Sequence, residues 1–421
     1  MPDAISATTC RGCNAPLNTP FLDLGSTPLA NSYLSPATSA DNEVAYPLAL
    51  VYCPECHLVQ LDYTVPPARM FSEYLYFSSF SQSFVRHANE MADSLTERFQ
   101  LGPARRVLEI ASNDGYLLQF FKQKGIEVLG VEPARNIAEH ARNQGIPTLN
   151  CFFGPETAHS ITQRFGLADV VIGNNVLAHV PGTNAFLRAV HDCLKPGGTA
   201  VFEFPYLMDL IRHREFDTVY HEHVFYFSLS AIRILAQRSG LLLEDVEHQS
   251  VHGGSLRVFL GKETGREPGS AVVSMLRHEE EIGVTGAEYY ASFSAAVAEL
   301  RQQFVSMLRG LRAQGKRIAA YGAPAKGNTL LNYCGIQTDT IEFTVDRSPH
   351  KQGLLLPGSR IPILAPEELV RRQPDYAVIL PWNIKDEIVG QQTDYINNGG
   401  QFICPVPNPE FVRPRVLAHA S

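Results

Sequence analysis

The stretch LEIASNDGYLL, residues 108–118, contains the end of an apolar strand, a polar turn and the start of a helix. In open parallel sheets, ligands bind at the carboxyl ends of the strands, and this turn lies at such an end. The sequence therefore predicts a ligand pocket at the turn. The candidate residues of that pocket are Glu109, Ser112, Asn113, Asp114 and Gly115.

Strands and helices alternate through the middle of the chain, a pattern typical of a parallel sheet covered by helices on both faces. The strand segments are RRVLEIA at 105–111, IEVLGVEPA at 126–134, ADVVIGNN at 168–175 and TAVFEFPY at 199–206. Two later segments, LLLEDVEH at 241–248 and SLRVFLG at 255–261, predict an antiparallel hairpin that closes the sheet edge. After a helical stretch at 266–315, a second alternation predicts a smaller α/β domain.

The pocket residues favour S-adenosylmethionine over a dinucleotide. A dinucleotide site needs GxGxxG so that pyrophosphate can approach a helix N-terminus, whereas this turn contains Ser-Asn-Asp-Gly. The Asp114 carboxylate would repel pyrophosphate, but it suits the amino group and sulfonium of S-adenosylmethionine. Glu132 follows the next strand, about 20 residues on, where an acidic side chain suits ribose hydroxyls. Asn174 and Asn175, in GNNVLAHV, complete the predicted cofactor set.

Four of the eight cysteines form two CxxC pairs, CRGC at 10–13 and CPEC at 53–56. Each pair directs two sulfurs at one point, and two pairs complete a tetrahedral S4 site for structural zinc. The alternatives are a pair of disulfides, which the expected cytoplasmic location disfavours, and a redox CxxC, which the presence of two copies disfavours. The predicted zinc ligands are Cys10, Cys13, Cys53 and Cys56.

These features predict an α/β protein with a class I methyltransferase, Rossmann-like domain, an N-terminal zinc-binding module and a C-terminal Rossmann-like domain. The loop LKPGG at 194–198, just before a strand, is also common in class I methyltransferases. We expect the zinc-binding module at 1–70 and the S-adenosylmethionine-binding domain at 71–265. A helical linker with the C-terminal Rossmann-like domain is expected at 266–421.

Composition and charge restrict the partners. The 421-residue chain is 45% hydrophobic and 19% charged, which is ordinary for a globular protein. Its net charge of −8 and the lack of a Lys/Arg run disfavour nucleic acid as the main partner. The N-terminus has no signal-peptide pattern, and no apolar run approaches the ~20 residues of a membrane span. We expect a cytoplasmic protein with no membrane or nucleic-acid partner.

The whole chain resembles the sugar C-methyltransferases that act on nucleotide-activated 4-keto-6-deoxysugars. The resemblance rests on CRGC, CPECH, EIASNDGYLL, NNVLAHV, FEFPYL, YHEH, HGGSLR, YGAPAKGN and VDRSPHKQG, which lie in all three expected domains. It implies an S-adenosylmethionine-dependent C-3 methyltransferase of deoxysugar and antibiotic biosynthesis, with structural zinc and a TDP-linked sugar as substrate. The chain lacks the GxGxG of many methyltransferases after Glu109, a feature that this family shares.

The implied reaction begins when the carbon next to the C4 ketone loses a proton, and the enolate then attacks the methyl carbon of S-adenosylmethionine. This requires a base that works near neutral pH and a donor at the C4 oxygen. By resemblance, YHEH supplies His223 as base, Glu222 as the group that holds or charges an imidazole, and Tyr220 as donor. An extended segment would pair His221 with His223, whereas a turn would bring Tyr220 to His223; the sequence leaves both open.

Further residues complete the expected site. His179, after the strand that ends in GNN, is a second candidate acid, base or ketone donor. Tyr74, in SEYLYF, is a candidate catalytic residue that caps the methyl donor or touches the sugar. The expected substrate-binding residues are Tyr76, His221, Lys326 and Lys351, with the two lysines as phosphate contacts.

Other interpretations stay open at this stage. C5 also flanks the ketone, so the same residues could direct methylation there. An NAD-dependent nucleotide-sugar oxidoreductase could use either Rossmann-like domain, although Asp114 disfavours it. A zinc-bearing binding module with an inactive methyltransferase domain is disfavoured by the polar cluster at 220–223. A metal site within YHEH is disfavoured because no further ligand is evident nearby.

Overall fold

The computed structural model describes residues 5–6, 8–38, 43–71, 78–80, 82–262 and 267–412. The chain forms two compact units, each built from three chain segments. The first unit comprises Met1–Thr19, Val51–Leu207 and Val224–Tyr289, and the second comprises Pro20–Leu50, Met208–His223 and Tyr290–Ser421. These compact units are not the expected domains, and the domain limits at residues 70 and 265 remain predictions.

The strands, in chain order, are β1 (Ile5–Ser6), β2 (Leu22–Pro28), β3 (Ala45–Tyr52), β4 (Val59–Leu61), β5 (Tyr63–Thr64), β6 (Arg106–Ile110), β7 (Glu127–Val131), β8 (Thr148–Leu149), β9 (Ala168–Asn174), β10 (Leu194–Pro205), β11 (Phe225–Tyr226), β12 (Leu242–Gln249), β13 (Ser255–Gly261), β14 (Ile318–Tyr321), β15 (Thr344–Val345), β16 (Ile363–Leu364), β17 (Tyr376–Ile379), β18 (Gln401–Cys404) and β19 (Glu410–Val412).

The α-helices are α1 (Pro67–Phe71), α2 (Gln82–Arg98), α3 (Leu118–Gln123), α4 (Arg135–Asn143), α5 (Pro155–Phe165), α6 (Thr183–Cys193), α7 (Leu207–Arg212), α8 (Leu229–Arg238), α9 (Ser270–Glu281), α10 (Ala287–Ala313), α11 (Ala325–Cys334), α12 (Glu367–Arg372), α13 (Lys385–Gln391) and α14 (Thr393–Asn397). Short 3-10 helices include Ser78–Phe80, Leu177–His179 and Phe216–Thr218. Within the described part of the chain, no helix has both the length and the apolarity to cross a membrane.

The first unit is built on a seven-stranded sheet with the order β12-β13-β10-β9-β6-β7-β8. The strands from β8 to β10 run parallel, and β13 and β12 add the predicted antiparallel hairpin at one edge. The strand order reverses at β6, which has β7 on one side and β9 on the other. The carboxyl ends of β6 and β9 therefore form the topological switch point, where ligands bind in such sheets.

Apolar sequence patterns explain these elements. Strands β6, β7 and β9 are almost continuously buried, as expected for parallel strands covered on both faces. Helix α2 buries one face at helical spacing. The buried residues of that face are Ala88, Met91, Ala92 and Leu95, and they join the main core of the unit.

The second unit contains a six-stranded sheet with the order β16-β15-β14-β17-β18-β19. The strands from β16 to β18 run parallel, and β19 is antiparallel at the edge. Its first strand, β14, again lies between strands on either side, so a second switch point lies at the carboxyl end of β14. The second predicted α/β alternation is thus confirmed.

A buried carboxylate joins α9 to the start of α8 in the first unit. Glu279 is fully buried and accepts hydrogen bonds from the Leu229 amide at 2.6 Å, the Ser230 amide at 2.8 Å and the Ser230 hydroxyl at 2.6 Å. The Tyr206 hydroxyl donates to the same carboxylate at 2.8 Å. Because the first amides of a helix lack intrahelical acceptors and form the positive end of its dipole, Glu279 stabilises α8.

Replacing Glu279 by alanine should leave these donors buried without an acceptor. Each unsatisfied buried donor costs about 1–3 kcal/mol, so we expect the free energy of unfolding to fall by at least about 3 kcal/mol. Chemical denaturation of the full chain measures this. The matched control is Glu280→Ala at the adjacent exposed position, which should cost less than about 0.5 kcal/mol. Equal denaturation midpoints for the two variants would contradict this role of Glu279.

Candidate functional site

The turn after β6 has an unusual backbone. Ala111, Asn113 and Gly115 have positive φ angles of 54°, 49° and 81°. A Cβ at Gly115 would lie 2.8 Å from Cγ1 of Ile146, so this position requires glycine for both its conformation and its space. Left-handed residues of this kind cluster at ligand sites, where the surrounding structure holds them in place.

Three carboxyl groups lie buried around this turn. Glu109, Asp114 and Glu132 are only 1%, 5% and 6% exposed. Glu132 accepts hydrogen bonds from the Asn113 amide at 3.0 Å and from the Ala134 amide at 2.8 Å. Among the residues that the structure describes, both oxygens of Glu109 and Oδ1 of Asp114 have no hydrogen-bond partner. The turn therefore offers buried acceptors to a ligand that carries donors or positive charge.

The proximity of these carboxyl groups changes their ionisation. Burial, with repulsion from Asp114 and Glu132, raises the pKa of Glu109 well above its usual range. Burial also raises the pKa of Glu132 to about 7, although the amides of Ala134 and Asn113 oppose the shift. S-adenosylmethionine fits these buried carboxyl groups. Its ammonium and sulfonium groups offset clustered negative charge, and its ribose hydroxyls can donate hydrogen bonds to Glu132.

The other predicted cofactor residues lie at the same edge of the sheet. Asn174 ends β9, and its Oδ1 has no partner among the described residues. Asn175 follows with a positive φ of 52°, and its amide donates to the Glu203 carbonyl at 2.7 Å. Ser112 packs against Gly130 of β7, where a Cβ would collide with the Ser112 hydroxyl. The sequence-predicted cofactor set is thus brought together along β6, β7 and β9.

Residues near position 78 contact the same turn. The amide of Ser78 donates to Oδ1 of Asn113 at 3.0 Å, and the amide of Ser79 donates to Oδ2 of Asp114 at 3.2 Å. Tyr74 and Tyr76, which the sequence assigned to catalysis and to substrate binding, lie outside the described residues. Their roles remain predictions.

A buried ionic cluster in the first unit was missed by the sequence analysis. Glu203 of β10 accepts hydrogen bonds from His87 at 2.7 Å and from Arg257 at 2.9 Å. Burial alone would raise the pKa of Glu203, but these two partners outweigh it and the pKa is lowered. Glu203 pairs in register with Asn174, the last residue of β9. The available signal was a lone glutamate inside the apolar strand VFEFP.

The four cysteines of the CxxC pairs lie together in the first unit. Their Sγ atoms all lie within 4.8 Å of one another, with Cys10–Cys56 and Cys13–Cys53 at 3.5 Å. Tetrahedral zinc with Zn–S bonds of about 2.3 Å places its sulfurs about 3.8 Å apart, so the four thiolates fit the ion. The Gly12 amide also donates to the Cys10 sulfur at 3.3 Å, as knuckle amides do towards thiolates.

The YHEH segment, in the second unit, is a turn. The His223 amide donates to the Tyr220 carbonyl at 2.9 Å, and the two rings lie 4.1 Å apart between centroids. Nδ1 of His223 lies 3.1 Å from the Thr218 carbonyl, which can only accept, so Nδ1 carries the proton. In the neutral ring, Nε2 then accepts a hydrogen bond from the Tyr220 hydroxyl at 2.9 Å. Of the two conformations left open by the sequence, the turn is the one observed.

A chain of hydrogen bonds extends from Glu222 within the second unit. Asn31 donates to Oε1 of Glu222 at 2.6 Å, and the Tyr33 hydroxyl lies 3.3 Å from Oδ1 of Asn31. Tyr33 and Lys351 both donate to the carbonyl of Ala323, at 2.6 and 2.8 Å. Asn31 and Tyr33 were not predicted from the sequence, where their signal is two polar side chains two residues apart in LANSYL.

Lys326 lies at the switch point of the second sheet, at the start of α11. Its ammonium hydrogen-bonds Asn383 and sits 4.0 Å from the centroid of the Trp382 ring. The Trp382 indole donates to Asp217 at 2.7 Å. Burial lowers the pKa of Lys326 to about 8, although Asp217 and Glu215 oppose the shift. A lysine in these surroundings could bind an anion at modest desolvation cost.

Two further histidines differ in exposure. His221 is 1% exposed, and its Nε2 lies 3.1 Å from the Pro47 carbonyl and 3.3 Å from that of Tyr46. Burial lowers its pKa, so the ring is neutral with Nε2–H as donor. His179, in the first unit, ends a 3-10 helix and is half-buried. The substrate role of His221 and the catalytic role of His179 remain predictions.

Family models match most of the chain. Residues 10–71 match one described as "Putative zinc binding domain", and residues 82–246 match one described as "Methyltransferase domain". Residues 250–407 match one described as "C-methyltransferase C-terminal domain".

One relative matches along almost the full length. The chain is 38% identical to the C-methyltransferase NovU of Streptomyces niveus over 404 residues, which cover 96% of each chain. A ubiquinone biosynthesis O-methyltransferase of Ruegeria pomeroyi is 33% identical over 100 residues, covering 23% of this chain and 39% of that protein. The solved magnesium protoporphyrin IX methyltransferase of Synechocystis PCC 6803 aligns at 14% identity and a TM-score of 0.33, covering 42% of this chain and 79% of that chain.

We predict one zinc ion per chain, because a closed S4 shell holds the ion without an open position. Elemental analysis of metal-replete protein should give about one equivalent, and less than about half an equivalent would contradict the site. Cys53→Ser should lose the zinc. Cys151→Ser, at a cysteine outside the four-sulfur cluster, should keep it.

We also predict that S-adenosylmethionine binds more tightly as the pH rises from about 6 to 8. The predicted role of Glu132 as acceptor for the ribose hydroxyls requires its ionised form, and its pKa of about 7 means that it would have to lose a proton on binding at lower pH. The affinity should therefore fall by up to about tenfold per pH unit below that pKa. Titration calorimetry in buffers of different ionisation enthalpy measures the released proton.

Glu132→Gln should weaken binding and abolish this pH dependence. Glu127→Gln, at the exposed start of β7, is the matched control and should preserve both affinity and pH dependence. A pH-independent affinity in the wild type would remove Glu132 from the site.

Proposed function

We propose that this chain, which belongs to the C-methyltransferase family and is an S-adenosylmethionine-dependent enzyme, methylates a nucleotide-diphospho-4-keto-6-deoxysugar. The proposed acceptor is C3, next to the C4 ketone, and the proposed nucleotide is TDP. The full-length match to a C-methyltransferase replaces the oxidoreductase interpretation. A cytoplasmic setting is part of the proposal, because a zinc–thiolate site requires reduced cysteines.

The observation that carries the proposal is the hydrogen bond between Tyr220 and Nε2 of His223. Because Nδ1 is committed to the Thr218 carbonyl, the proton-accepting lone pair of the neutral ring is at Nε2. A neutral imidazole with a fixed tautomer is suited to act as a general base near neutral pH. A phenol beside it supplies the second required group, a hydrogen-bond donor.

In the proposed reaction, S-adenosylmethionine supplies an electrophilic methyl group. Nε2 of His223 takes the proton from C3 of the sugar. The electron pair of that C–H bond becomes the C3–C4 double bond of the enolate, and negative charge develops on the C4 oxygen. Tyr220 transfers its hydrogen bond from His223 to the C4 oxygen, which frees Nε2 and stabilises the developing negative charge. C3 then forms the bond to the methyl carbon as the bond between that carbon and the sulfonium sulfur breaks; its electron pair stays on sulfur, S-adenosylhomocysteine leaves as a neutral thioether, and the ketone is restored.

Neighbouring groups in the second unit support these roles. Asn31 holds the Glu222 carboxylate at 2.6 Å and so fixes the position of the group whose charge is proposed to favour an imidazolium. Lys326 and Lys351 supply positive charge for the diphosphate. His179 is the rival candidate for the base, and Tyr74, Tyr76 and His221 stay in the proposed site on the sequence resemblance alone.

His223→Asn should bind the cofactor and the sugar nucleotide but lose methyl transfer by about 10²–10⁴-fold, which is the contribution of a general base. Exchange of the sugar α-proton with deuterated solvent reports deprotonation without methyl transfer. The wild type should promote exchange and His223→Asn should not. Tyr220→Phe should slow the exchange, because the enolate loses its donor.

His179→Asn is the comparison that can overturn the assignment. If His223→Asn exchanges as fast as the wild type while His179→Asn does not, His179 is the base. If exchange stops only when a chelator is added, a metal site in YHEH would replace the proposed mechanism.

A further inference from the structure

The 174–184 loop, which we define as the last residue of β9, the connection that follows it and the first two residues of α6, is attached to the zinc-binding region at two points. Asn184, near the start of α6, donates from Nδ2 to the carbonyl of Gly12, inside the first CxxC pair, at 2.9 Å. In the middle of the loop, the Ala178 carbonyl accepts a hydrogen bond from the Val224 amide at 2.8 Å. The Val224 carbonyl in turn accepts from the Leu61 amide of β4, also at 2.8 Å.

Strand β4 is itself tied to the zinc ligands. Gln60 is fully buried, and its Nε2 donates to the Cys10 sulfur at 3.2 Å. Its Oε1 accepts from the amide and the guanidinium of Arg11, both at 3.2 Å. Arg11 also donates to the Leu61 carbonyl at 2.7 Å. The carbonyl of Leu61 is therefore hydrogen-bonded to Arg11, which lies between the predicted zinc ligands Cys10 and Cys13. The amide of Leu61 is hydrogen-bonded to Val224.

The attached loop carries the groups that the cofactor edge needs. It begins with Asn174 and Asn175 at the carboxyl end of β9, and it includes His179. Asn175 has a positive φ of 52°, a conformation that needs support from surrounding contacts. A loop fixed at its middle and at its far end keeps such a residue in one conformation at lower entropic cost on ligand binding.

We infer that the zinc site positions the 174–184 loop, with Gln60 and Asn184 as positioning residues, so that zinc acts on the cofactor edge and not only on its own module. Outer-shell partners of metal ligands act in this way, since they orient the ligands and are oriented by them. For Asn174 and Asn175, this positioning affects cofactor binding alone. For His179, an effect on catalysis rests on the proposed function.

Asn184→Ala tests the inference with zinc still bound, because Asn184 donates to the backbone carbonyls of Gly12, at 2.9 Å, and Arg11, at 3.4 Å, and to no sulfur. Loss of the hydrogen bond to Gly12, the shorter of the two, should lower amide-exchange protection in residues 174–184 by about two- to twelvefold. The matched control is Lys262→Ala, which removes a side-chain donor to the Leu194 carbonyl at the opposite end of α6, 2.9 Å long in the wild type. That variant should leave the loop's protection unchanged.

Gln60→Ala and Gln60→Glu test the link from the metal side. Both remove the donor to Cys10, so zinc transfer to a chelator should speed up by about 10–100-fold. Gln60→Glu retains an acceptor for Arg11, so its loss of protection at Val224 and in the 174–184 loop should be smaller than that of Gln60→Ala.

Hydrogen exchange is the decisive measurement, and S-adenosylmethionine affinity is a second one. Neither measurement needs a sugar substrate. Asn184→Ala should weaken S-adenosylmethionine binding by at most about twelvefold, the upper limit for loss of one neutral hydrogen bond. Zinc lost faster from Gln60→Ala with unchanged protection of 174–184, or Asn184→Ala protected like Lys262→Ala, would overturn the inference. Either result would leave the proposed methylation reaction untouched.

Discussion

The buried carboxyl groups at the carboxyl ends of β6 and β7 impose the strongest constraint on the first unit. Glu109, Asp114 and Glu132 are all almost inaccessible to solvent, and burial raises the pKa of Glu109 and of Glu132. Such groups stay ionised only beside a cation or several donors, because a low-dielectric interior penalises unpaired charge. A cationic cofactor with ribose hydroxyls meets that need. The parallel sheet, the left-handed turn and the close approach of Gly130 all serve to bring these groups to one edge.

The second unit also contains a parallel sheet with a switch point, but the charged side chains described there, Lys326 and Lys351, are positive. Lys326 follows the carboxyl end of β14, the first strand of the six-stranded sheet in chain order, and Lys351 donates to the Ala323 carbonyl of the same loop. Positive charge at this switch point suits a diphosphate, whereas negative charge at the first suits a sulfonium. The proposed reaction uses this contrast, with a cationic methyl donor at the first switch point and an anionic sugar nucleotide at the second. The Tyr220–His223 turn contains the proposed hydrogen-bond donor and the proposed base, which neither sheet supplies.

Sequence patterns predicted the features that depend on local order. The alternation of apolar segments predicted the seven-stranded and the six-stranded sheets, and the two CxxC pairs predicted a four-sulfur cluster that is present in the structure. Features set by long-range pairing were not accessible in this way. Asn31 meets Glu222 across 191 residues, and His87 meets Glu203 across 116, so neither partner is marked by its neighbours in the chain. Strand β8 was missed because two residues are too short to show a period.

The most direct test of carbon methylation next to the ketone is to locate the transferred methyl group. The full-length enzyme would be incubated with S-adenosylmethionine labelled with carbon-13 in its methyl group and with a TDP-linked 4-keto-6-deoxysugar, and the product would be examined by NMR. We predict that the labelled carbon is bonded to C3 and that the C3 proton displaced by the methyl group is lost to solvent. A label attached to C5 or to a hydroxyl oxygen would contradict the proposed reaction.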